Sequence, residues 1–116
     1  MAFEWIERAK RASADELAAW LGGSFEDDRL YVKGALGAHY VQVYVRDGEP
    51  ESVTAGYAPG LTVADVEAEL GPGRELPRGP AGPFQLAFPD AVVVTTYDPP
   101  GAQPRGLVEL TVPRAT

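Results

Sequence analysis

The sequence predicts an α+β domain whose helices pack on one face of an antiparallel sheet. Three observations carry this reading. Apolar residues return every three or four positions in residues 2–21 and 62–71. Elsewhere they alternate every second position in short runs bounded by turn residues. The links among the first three of those runs are too short for parallel crossovers.

The first segment places Phe3, Ile6, Leu17, Trp20 and Leu21 among Ala and charged residues. Ser13 followed by Glu16 is a capping-box spacing, so the segment reads as two helices with a break near Ala12–Ser13 and a stop at Gly22-Gly23. One continuous helix is the alternative. Trp5 and Trp20 read as core or helix-packing residues, Trp5 being the more exposed of the two.

Leu30 and Val32 then alternate with Arg29, Tyr31 and Lys33. His39, Val41, Val43 and Val45 alternate with Tyr40, Gln42, Tyr44 and Arg46, the strongest period-two pattern in the chain. Asp47-Gly48 is a turn signal, and Val53, Ala55 and Tyr57 mark a third strand. Thr62 opens the next helix as N-cap, with Val63, Val66 and Leu70 as one stripe and Gly71-Pro72-Gly73 as its stop. Residues 71–83, dense in Pro and Gly, read as an irregular loop. Three further strands carry Phe84, Leu86 and Phe88, then Val92, Val94 and Thr96, then Val108, Leu110 and Val112.

The order is therefore α(α)βββ followed by αβββ. Ser13 to Gly22 and Thr62 to Gly71 align at a constant offset in cap, apolar positions, Leu and terminal Gly. A tandem repeat within a single domain 1–116 follows, with units at about 1–58 and 59–116. A chain of 116 residues suits one domain.

Composition narrows the function. The absence of cysteine excludes disulfides, thiolate metal sites and a cysteine nucleophile. No run approaches the roughly 20 apolar residues of a membrane helix, and the N-terminal residues lack a signal-peptide pattern, so the expected location is cytoplasmic. Ten basic against 17 acidic residues give a net charge of −7, which disfavours nucleic acid and suits a cationic protein partner. The chain has no Asn, one Ile and two Lys, a bias expected of a bacterial genome of high GC content.

The segment Gly60-Leu-Thr-Val-Ala-Asp-Val-Glu-Ala-Glu-Leu-Gly71 resembles the helix motif of the SmpA/OmlA outer-membrane lipoproteins. A tandem pair of such units resembles the β-lactamase-inhibitor-protein fold. That resemblance implies helices on one sheet face, an open opposite face, and binding as the kind of function. The lipoprotein cysteine is absent, so an outer-membrane role is not part of the expectation.

Candidate chemistry is sparse. His39 is the sole histidine and has no nucleophile or ligand set near it in sequence. Glu26-Asp27-Asp28 lacks the alternation of a calcium loop and reads as a solvated turn. The Gly-rich 71–83 segment follows a helix instead of leading into one, which argues against a phosphate cradle. No catalytic residue, cofactor or metal is expected.

The second strand is more informative. If its valines face the helices, Tyr40, Gln42, Tyr44 and Arg46 share the open face, with Tyr31 and Lys33 beside them and Tyr97 on the matching strand of the second unit. Tyr and Arg are favoured in protein-binding hot spots. The expected function is a protein-binding or inhibitory module, an immunity-like protein being one form of it. The alternatives are a small-molecule-binding protein or minor enzyme with a cleft between sheet and loops, and a structural homodimer or accessory subunit.

Overall fold

Local side-chain chemistry sets where α-helices start at Ser13 and Thr62. The computed structural model describes residues 3–57, 61–77, 79–80, 82–96 and 108–114. α1 spans Trp5–Arg11 and α2 spans Ala14–Leu21, so the first segment is two helices, separated by extended backbone at Ala12 and Ser13. The Ser13 hydroxyl accepts from the Glu16 amide at 3.2 Å, and the Glu16 carboxylate accepts from the Ser13 amide at 3.1 Å. α3, Val63–Leu70, repeats this device: Thr62 accepts from the Asp65 amide at 3.1 Å and Asp65 from the Thr62 amide at 2.9 Å. In both boxes the amide donor holds the carboxyl below its usual range.

Among the described residues seven strands form one antiparallel sheet: β1 Arg29–Lys33, β2 Tyr40–Arg46, β3 Glu49–Tyr57, β4 Arg74–Glu75, β5 Phe84–Ala87, β6 Val93–Thr96 and β7 Val108–Pro113. Their spatial order is β1-β2-β3-β7-β6-β5-β4. Asp47 and Gly48 both have positive φ (53° and 79°), the geometry that lets a two-residue turn join β2 to β3 without splaying them. β4 corrects the expectation of an irregular 71–83 loop. Arg74 and Glu75 pair with Ala87 and Leu86, and the Leu76 amide donates to the Gln85 carbonyl. Edge pairing overrides the low strand preference of that Pro/Gly-rich stretch.

Register sorts the side chains onto two faces. Val32, Val41, Ala55, Leu110, Val94 and Leu86 lie in one row across the sheet, and Leu30, Val43, Val53 and Val112 in the next. These join Phe3, Trp5, Ile6, Leu17, Leu21 and Val66 of the helical segments in one apolar core. Burying a side chain of this size contributes roughly 1.5–3 kcal/mol.

Trp5 departs from expectation, being only 7% exposed. Its indole Nε1 donates to the Tyr57 hydroxyl at 3.2 Å, and the Tyr57 ring meets Phe3 edge-on. Trp20 is the more exposed tryptophan, with the Arg8 guanidinium 4.5 Å above its ring.

Candidate functional site: the open sheet face

With the helices on one side, the alternate residues of each strand define the other. Arg29, Tyr44, Ser52 and Pro113 form one row. Tyr31, Gln42, Thr54, Thr111, Val93, Ala87 and Arg74 form the second. Lys33, Tyr40, Gly56, Glu109, Thr95 and Gln85 form the third. No helix is needed to cover this face, because Thr and Gln populate it and bond across strands. Thr54 and Thr111 lie 3.1 Å apart, and Gln85 donates to Thr95 at 3.3 Å.

Tyr40 is the hub of the β1–β2 side. It lies flat over Gly56, where a Cβ would stand 2.2 Å from its ring. Its hydroxyl donates to the Glu109 carboxylate on β7, and it is only 8% exposed. Burial, reinforced by the hydrogen bond and the negative charge of Glu109, pushes its phenol above the ordinary tyrosine range. Tyr31 stacks on Tyr40, ring centroids 5.6 Å apart and planes within 17°. The Arg29 guanidinium lies 5.5 Å from the Tyr31 ring.

Exposure then separates the tyrosines. Tyr31 (43%) and Tyr44 (45%) are the exposed large apolar side chains among the described residues. The Tyr44 hydroxyl donates to Gln42 at 3.1 Å. Lys33 is exposed beside them, and Arg46 is held by Glu51 at 3.1 Å at the hairpin end. Tyr31, Lys33, Tyr40, Gln42 and Tyr44 are thus brought together on one face, with Arg46 at its margin. Tyr97 lies outside the described residues. His39 is exposed at the start of β2, its ring edge-on to Tyr40 at 6.4 Å.

Two members of the site were missed in sequence. Glu109 stands 69 residues from Tyr40, and only strand order brings them together. Gly56 did carry a signal: a glycine inside a strand marks close approach by another group.

The proton on Tyr40 belongs to the folded state. Its raised pKa contributes stability present below about pH 10 and lost as pH rises toward the folded value. Tyr40→Phe is therefore expected to flatten the alkaline loss of stability and to remove a tyrosinate absorbance component that titrates late. An unchanged titration would mean that Tyr40 is solvated.

At the margin of this face, a groove of about 780 Å³ is lined by Gly23, Ser24, Glu26, Asp27, Arg29 and Tyr31. Asp27 and Asp28, both at positive φ, form the turn that returns Glu26 to pair with Arg29. Among the described residues no helix is long and apolar enough to cross a membrane. No protein-family model, curated protein or solved structure matches the chain.

Proposed function

We propose that the chain is a protein-binding module that meets its partner with the β1–β2 side of the open sheet face. The observation that carries this is the pair of exposed tyrosines: Tyr31, stacked on a Tyr40 fixed by Gly56 and Glu109, and Tyr44, hydrogen-bonded to Gln42. Tyrosines held before contact lose little rotamer freedom on binding, and that raises the affinity each Å² of contact yields.

The structure's charge distribution refines the kind of partner. The net charge of −7 draws cations at long range. At contact range the tyrosines have Arg29 and Lys33 beside them, and neither takes part in an ion pair among the described residues. Local charge decides contact specificity: Glu26 and Asp27 flank the Arg29 end, and the Lys33 end suits a carboxylate of a protein partner. Tyr31 already pairs with Tyr40 and Arg29, and this disfavours its use as a platform for stacked bases.

We read the sheet order as the product of a duplication. In chain order the three strands after α2 (β1, β2, β3) and the last three after α3 (β5, β6, β7) each run inward to the β3/β7 seam, with the two-residue β4 added outside β5. An immunity-like or inhibitory role is compatible with such a scaffold and is the form of binding we favour.

The test is affinity capture from a bacterial lysate, with partners identified by mass spectrometry. Tyr31→Ala and Tyr44→Ala should each weaken capture about tenfold, roughly 1.4 kcal/mol. Ala substitution at Trp20, on the helical side, should not. Capture that is indifferent to both tyrosines removes the face from consideration.

A further inference from the structure

The sheet has two edges, and they are not alike. β4 is two residues long and lies between Pro72 and Pro77, a form that resists pairing with another strand. β1 is five residues long and pairs with β2 without a bulge. The hydrogen bonds at its ends fix which way its backbone points. The Val45 amide donates to the Asp28 carbonyl, and the Gly34 amide to the His39 carbonyl. Because antiparallel pairs alternate, Leu30 and Val32 exchange bonds with β2, while Arg29, Tyr31 and Lys33 point their N–H and C=O groups outward. Arg29 spends its outward groups on Glu26. Those of Tyr31 and Lys33 face the outer edge and bond no further strand among the described residues, and the groove described above flanks this edge at Tyr31.

We propose that this edge accepts an extended segment of a protein partner as an eighth strand, with a carboxylate side chain opposite Lys33. Strand addition draws its affinity from main-chain hydrogen bonds and its selectivity from alternate side chains. The outward groups of Tyr31 and Lys33 supply two donors and two acceptors. Lys33, exposed and free of ion pairs among the described residues, selects the acid. Edge lysines also act simply to repel other strands. Here the same charge distinguishes partners, disfavouring a basic strand and favouring an acidic one. A second copy of the chain fits less well: the register centred on Tyr31 sets Arg29 against Lys33 of the other copy, like charges directly opposed.

The inference deepens the proposed binding role by stating how the partner's chain runs, and it is testable apart from that role. A short blocked peptide of alternating Thr and Glu is titrated into the labelled protein, with its Thr/Lys counterpart as comparison. The expected result is slowed amide exchange at Tyr31 and Lys33 with the Glu peptide only. Lys33→Pro removes one outward donor at a site where an edge strand tolerates proline, and should abolish that protection. Lys33→Glu should reverse the preference toward the Lys peptide, which keeps the test intact should the proline variant not fold. Tyr44→Ala, on the face and away from the edge, should leave the peptide result unchanged while weakening partner capture. No protection at millimolar Glu peptide, equal protection by both peptides, or a dimeric mass in light scattering would overturn the proposal.

Discussion

Leu110→Ala is expected to lower the unfolding free energy by about 2–5 kcal/mol, a large share of the roughly 5–15 kcal/mol available to a domain. Leu110 is fully buried on β7, and β7 is the seam of the sheet, hydrogen-bonded to β3 on one side and β6 on the other. Its row neighbours are Ala55 and Val94. Ala55 is too small to fill the space that a truncated Leu110 would leave. The cavity would therefore persist, adding its own cost to the lost transfer energy. Urea unfolding should show a lower midpoint with an unchanged slope. A loss below about 1 kcal/mol would mean that the seam collapses freely, contrary to a core closed across both halves of the sheet.

Gly56→Ala should cost about 1–3 kcal/mol, although alanine ordinarily suits a strand better than glycine. The added methyl would stand 2.2 Å from the Tyr40 ring, and Tyr40 cannot yield cheaply. Its hydroxyl is bonded to Glu109, and its ring carries the stacked Tyr31. Displacing it exposes the ring, breaks the bond to Glu109 and removes the floor under Tyr31. Partner capture should fall with stability. The same substitution in a Tyr40→Leu background should be close to neutral, so a double-mutant cycle is expected to show strong coupling between the two positions. Additive costs would mean that the tyrosine swings aside without consequence.

Much of this architecture was legible locally. Two helix starts are written in the Ser13/Glu16 spacing and the Thr62 N-cap, and α2 and α3 begin there. The alternation of Tyr40–Arg46 placed the valines inward and Tyr44 and Gln42 outward, as the register shows. Asp47-Gly48 marked its hairpin for a reason of backbone geometry alone.

What escaped depends on contacts distant in the chain. β4 exists because the β5 edge offers partners to Arg74 and Glu75, which no window around residue 74 contains. Trp5 is buried because Tyr57, 52 residues away, receives its indole N–H. Tyr40 reads from alternation as one more outward tyrosine, yet Gly56 and Glu109 convert it from an exposed ring into the support for its neighbours. Alternation assigns a side chain to a face and says nothing of how much of it stays in water. The open face was thus foreseeable as a surface, and the division of labour among its tyrosines was not.

The most direct test of the binding face is a hydroxyl-radical footprint of the captured complex against the free chain. Tyr31 and Tyr44 should lose reactivity on complex formation, while Trp20 and Phe25, partly exposed on the helical side, keep theirs. Protection of Trp20 and Phe25 with Tyr31 and Tyr44 unchanged would contradict the account, placing the partner on the opposite side of the sheet.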